Sequence, residues 1–223
     1  MTPVTHVDAP ARLQVKQLED ELKYRHAAVT CAFLELLDLR DIDTGVHSTR
    51  LAEWGVRVAE RLGLTDEQLA DVETASLLHD LGKVGIIDTI LHKPGPLTAS
   101  EMEELRKHSE YGWAILRRIP GFEVASLYIL HHHERVDGHG YPAGLRGEQI
   151  PIGARIVAII DAFDAMVSRR CYREALPIEE ALRRLREAAG TQFDANIVAE
   201  FARVAATQAA DIQALVAMAP TGF

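Results

Sequence analysis

Apolar positions recur at three- and four-residue steps along most of the chain, and no strict alternation lasts long enough to form a strand. The pattern predicts an all-α protein. A long helix is expected over residues 11–41, polar at first and packed from Ala27 to Leu37. A second is expected over 46–62, with Leu51, Trp54, Val58 and Leu62 on one stripe. "TDEQ" at 65–68 is a capping box that opens a third helix ending near His79, where Gly82 and Gly85 interrupt it. After the turn-rich "KPGPLTASE", Thr98 and Glu101 cap a helix that ends before Pro120. Further helices are expected over 122–134, 152–168, from 177, from 194 and over 208–218. Residues 135–151, "RVDGHGYPAGLRGEQIP", hold four glycines and two prolines and read as a shaped loop. The composition shifts near residue 41, which divides an N-terminal arm (1–40) for signalling or dimerisation from a compact body (41–223).

Composition narrows the class. The chain has 223 residues, 48% of them hydrophobic, enough for one substantial core. A net charge of −9 argues against duplex DNA as a partner, so a phosphate ligand needs a local cationic site. Cys31 and Cys171 form no paired motif, which fits a reducing cytoplasm. The apolar run at 27–37 is too short to span a bilayer, and the first 15 residues carry no secretory signal.

Helical spacing then aims polar groups inward. Leu69, Val72, Ser76 and His79 share a face, as do Leu105, His108, Gly112 and Ile115. Ala125, Ile129, His132 and His133 share another, and so do Ala154, Val157, Asp161 and Asp164. Each inward histidine alone reads as a hydrogen-bonded core residue. A carboxylate inside "IVAIIDAF" is costly without a compensating cation. With His47 and Asp80, the set His47, His79, Asp80, His108, His132, His133 and Asp161 offers seven ligands of the type that divalent metals take. Seven is too many for one ion and suits two, with Asp80 as a bridge, an arrangement that serves phosphate-ester hydrolysis.

"LLHDLGKVGI", "HHHERVDGHGYP" and "GARIVAIIDAFDAMVSRRCYREAL" together resemble the HD-GYP family of metal-dependent phosphodiesterases, over roughly residues 40–205. The resemblance implies an HD-type helical bundle with additional C-terminal helices, and hydrolysis of cyclic di-GMP to pGpG or on to GMP. It implies that His47, His79, Asp80 and Asp161 are the ligands shared with other HD enzymes, and that His108, His132 and His133 are additional ligands for Fe or Mn. Lys83 matches the lysine that contacts the scissile phosphate, Tyr141 lies in the substrate loop, and Arg170 and Arg173 match nucleotide contacts. Asp164 is expected to orient a ligand or the arginine segment.

Two departures bear on the outcome. Asp43 stands where family members associated with a third metal carry a glutamate, so the count stays open between two ions and three, and the product between pGpG and GMP. Cys171 replaces a proline in the arginine segment. Other readings are a metal-loaded cyclic-dinucleotide receptor and a phosphodiesterase for a mixed GMP–AMP cycle. The resemblance also implies a diguanylate cyclase-type partner at the GYP loop, and the N-terminal helix is a candidate homodimer contact.

Overall fold

Helix α1 (Ala9–Arg40) leads into α2 (Thr44–Arg61) and α3 (Asp66–Leu78) in the computed structural model, which describes residues 9–40, 44–168 and 175–207. The short α4 (Asp88–Leu91), α5 (Ala99–Arg106), α6 (His108–Leu116) and α7 (Glu123–His131) follow. After the glycine-rich loop come α8 (Ile152–Val167), α9 (Ile178–Glu187) and α10 (Ala195–Thr207). The fold is all-α: no strand occurs among the described residues, only the isolated bridges Asp137–Arg146 and Ala189–Phe193. The expected helix over 208–218 lies outside the described residues.

α8 is the hub because its sequence is apolar on most sides. Gly153, Ala154, Ile156, Val157, Ile159, Ile160, Phe163 and Val167 are all buried, and the helix packs on α2, α3, α7, α9 and α10. Trp54 of α2 meets Phe163 edge-on at 5.3 Å, and Phe163 meets Phe201 of α10 at 4.8 Å, which ties three helices through one aromatic cluster. α3 starts on the expected capping box, with Thr65 and Gln68 exchanging side-chain bonds to each other's backbone amides. Thr98 and Glu101 do the same for α5.

Two local outcomes differ from expectation, and each moves a histidine. The helix expected from 98 to 119 is broken at Lys107. The Leu105 carbonyl, which a continuous helix would give to the amide four residues on, accepts instead from the Lys107 amide and from His108 Nδ1. α6 thus begins at His108. α7 stops at His131, so His132 and His133 stand on the turn beyond it. Past α3 the chain continues as a 3-10 turn, Leu81–Gly85, that runs against α6. Gly82 permits this approach, since a Cβ there would lie 1.7 Å from the His108 carbonyl oxygen. Asp80 is thereby brought beside His108.

α1 is a single helix of two characters. His26 stacks on Phe122 at 3.9 Å, Thr30 and Leu37 are buried, and Val29, Phe33 and Leu34 pack on the core. Ala27, expected in the packed part, is exposed, at the edge of the stripe formed by His26, Thr30 and Leu37. Toward the N-terminus Leu13, Val15, Leu18, Leu22 and Tyr24 are all exposed.

Candidate metal centre

Side-chain nitrogens and oxygens of His47, His79 and Asp80 lie within 4.8 Å of one another, and those of His108, His132 and His133 form a second such group. Asp161 joins the first, with its Oδ1 3.9 Å from Nε2 of both His47 and His79. Asp80 faces both groups. Its Oδ2 is 3.3 Å from His79 Nε2, and its Oδ1 is 3.8 Å from His108 Nε2. The rings of His132 and His133 lie 3.9 Å apart, tilted by 42°, and His108 lies 5.4 and 5.0 Å from them between ring centres.

The backbone sets the tautomers. His79 Nδ1 donates to the Ser76 carbonyl at 2.9 Å, His108 Nδ1 to Leu105 at 2.8 Å, and His132 Nδ1 to Ile129 at 2.6 Å. A carbonyl can only accept, so each Nδ1 carries a proton, and each ring in its neutral form presents Nε2 as a lone pair. His47 is held differently: its Nδ1 bonds Asp164 Oδ2 at 2.5 Å, again leaving Nε2 for the centre. Asp164 also accepts from Arg50 Nε at 2.5 Å and Ser168 Oγ at 3.1 Å, while Arg50 reaches Ser168 Oγ at 2.8 Å. Such outer partners orient metal ligands.

This chemistry fits a cation. Among the described residues, Nε2 of His132 is buried without a hydrogen-bond partner, and that of His79 faces only the carboxylates of Asp80 and Asp161, an arrangement costly for a polar atom unless something binds it. Burial disfavours a charged His79, yet the Asp80 and Asp161 carboxylates outweigh it and push its pKa up to about 9. Burial would raise Asp80, but Lys83, His79 and His108 hold its carboxyl well below the usual range. Positive charge is therefore favoured between these carboxylates. Burial and neighbouring imidazoles push His132 well down and His133 to about 4, so both stay in the neutral, ligating form. Burial also lowers His108.

Lys83 places Nζ 2.7 Å from Asp80 Oδ2, at the edge of the centre. Tyr141 packs its ring on His133 at 4.9 Å, and its amide donates to the His133 carbonyl. The loop around it is shaped by Glu134, a buried carboxylate. Its Oε1 accepts from the amides of Ala143 at 2.7 Å and Gly144 at 3.1 Å, and its Oε2 from Leu145 at 3.1 Å. Gly140 lets the loop fold back onto this residue, as a Cβ would lie 2.5 Å from the Glu134 Cα. Arg135 and Asp137 form a two-pronged ion pair at 3.0 and 2.6 Å within it.

The described residues thus bring together His47, His79, Asp80, His108, His132, His133 and Asp161, with Lys83 and Tyr141 at the rim. Asp43, Arg170 and Arg173 lie outside the described residues. Sequence reasoning missed Arg50 and Glu134. Arg50 carried a signal, its i, i+3 spacing from His47 on a stripe with Trp54. Glu134 carried none, because its partners are backbone amides.

A family model described as an HD domain matches residues 32–197. The chain is 41% identical over 177 residues to a protein of Thermotoga maritima named cyclic di-GMP phosphodiesterase, covering 77% of this chain and 48% of that one. It is 41% identical over 164 residues to the 3'3'-cGAMP-specific phosphodiesterase 2 of Vibrio cholerae, covering 73% of this chain and 31% of that one. The chain therefore spans half or less of these relatives' lengths. Among solved structures, the phosphodiesterase PgpH HD domain of L. monocytogenes superposes with a TM-score of 0.58 at 17% identity, covering 81% of this chain and 98% of that domain. That likeness is one of fold.

Asp164→Asn is expected to weaken metal binding about 10- to 100-fold by loosening His47, as read by titration of the metal-stripped protein. Unchanged affinity would remove Asp164 from the centre. Glu134→Gln is expected to leave loop amides without a charged acceptor, a loss of about 1–3 kcal/mol. Hydrogen exchange at residues 143–145 checks this, and unaltered protection there would show that other contacts hold the loop.

Proposed function

The chain belongs to the HD domain family, in its HD-GYP branch, and from that premise we propose that it is a metal-dependent phosphodiesterase that hydrolyses cyclic di-GMP. The observation that carries the reading is Asp80 set between two groups of histidines, each with Nε2 presented inward. His47, His79, Asp80 and Asp161 would hold one divalent ion, and Asp80, His108, His132 and His133 a second, with Fe or Mn suited to this mixed imidazole and carboxylate set. Such ions supply a Lewis acid and an activated water at neutral pH.

The chain's own groups do the rest. Lys83 offers an ammonium at the rim, where charge grows on the phosphoryl oxygens of the transition state. Tyr141 walls the centre beside His133 and would border the bound nucleotide. Arg170 and Arg173 are proposed to contact the nucleotide, and Asp43 to decide whether a third ion binds. With two ions the product is pGpG; with three the reaction runs on to GMP. The similarity to a 3'3'-cGAMP-specific phosphodiesterase keeps a mixed GMP–AMP cycle as the second substrate to test. A reducing, cytoplasmic setting is proposed on the two cysteines, Cys31 and Cys171, which form no paired motif in the sequence.

Two contacts complete the proposal. Val15, Leu18 and Leu22 recur at three- and four-residue steps on α1 and are 51%, 59% and 57% exposed, which supports pairing with a second copy of the chain. The loop's Pro142, Ala143, Arg146, Glu148 and Gln149 are exposed and would meet a diguanylate cyclase-type partner.

Metal-analysed protein incubated with cyclic di-GMP is expected to release pGpG before any GMP, and chelation is expected to abolish turnover. Full-rate hydrolysis after chelation would sink the reading, and tight binding without turnover in the loaded protein would replace it by a receptor. In sedimentation velocity the chain is expected to run as a dimer that Leu18→Glu with Leu22→Glu returns to monomer, and to run faster when mixed with a diguanylate cyclase domain. A monomeric wild type would remove the α1 pairing, and no shift with the cyclase would remove that partner.

A further inference from the structure

Arg106 is the last residue of α5, two positions before His108, and its side chain turns toward the loop. Its guanidinium carbon lies 5.1 Å from the centre of the Tyr141 ring, the same ring that packs on His133. The residue is exposed and makes no ion pair among the described residues. Other exposed arginines behave differently: Arg25, Arg57, Arg183 and Arg203 each hold a carboxylate three or four residues away on their own helix. Arg106 has Glu103 and Glu110 at those spacings and pairs with neither. It rests instead on an aromatic ring at the mouth of the metal centre.

A guanidinium held against a ring by cation–π attraction has its plane oriented, and its N–H groups still point outward as donors. Two parallel N–H donors match the O6 and N7 acceptors of guanine. Adenine presents an amino donor in place of O6 and repels one of them. From this juxtaposition of Arg106, Tyr141 and the His133 side of the centre, we infer that Arg106 reads a guanine base of the substrate and sets the preference for guanine over adenine. The inference rests on the reading of the substrate as a cyclic dinucleotide. It concerns a residue that helps bind the base and takes no part in the bond cleavage.

The test is a pair of calorimetric titrations, cyclic di-GMP and cyclic di-AMP, on the full chain and on Arg106→Ala and Arg106→Lys. Melting temperature and metal content serve as controls on folding. The alanine variant is expected to lose about 10-fold or more in affinity for cyclic di-GMP, the scale of one bidentate base contact, while cyclic di-AMP binding changes less than about 2-fold. The lysine variant keeps the charge but not the fork, so its guanine preference should fall as well. Equal losses for both dinucleotides would overturn the inference and make Arg106 a phosphate contact or a prop for Tyr141. No loss for either, or a wild-type chain that binds neither, would also overturn it. Wild-type binding of cyclic di-GMP without turnover would instead remove the hydrolase reading, and the comparison of variants would still decide the role of Arg106.

Discussion

One half-buried carboxylate organises this molecule. Asp80 is enclosed by His79, His108 and Lys83, and a charge so placed is tolerated only with positive partners around it. Much of the surrounding architecture can be read as what brings those partners within reach. The end of α3 delivers Asp80, the Gly82 turn presses it toward α6, and the break at Lys107 turns His108 to meet it. α8 closes the group with Asp161, on a helix that is otherwise mostly apolar.

The polar centre and the apolar core are consequently two sides of the same helices. His79 lies one residue past the buried Leu78, and Asp164 one past the buried Phe163. Side chains one step apart on a helix point about 100° from each other. A helix can thus feed the core with one residue and the centre with the next, provided several helices converge. The aromatic cluster of Trp54, Phe163 and Phe201 fixes that convergence on the far side of α2 and α8.

Much of this was legible in the residue pattern. Helical spacing predicted the all-α class and the inward aim of His79, His108, His132 and Asp161, because burial and period are linked. What escaped it was set by contacts distant in sequence or made by the backbone. Gly82 meets the His108 carbonyl from 26 residues earlier in the chain. Glu134 serves amides nine to eleven residues on, which no side-chain pattern reveals. Arg50 meets Asp164 across 114 positions, and only its spacing from His47 hinted at a shared face.

The two ways of holding the imidazoles have unequal evolutionary consequences. His79, His108 and His132 are each steadied by a carbonyl of their own helical turn, a partner that no point substitution can delete. His47 is steadied by a side chain, and that side chain by two others, Arg50 and Ser168. Drift among relatives therefore has purchase on one end of the centre and little on the other. Diversity in metal preference is expected to accumulate around His47, while the opposite end stays as the chain's own backbone dictates.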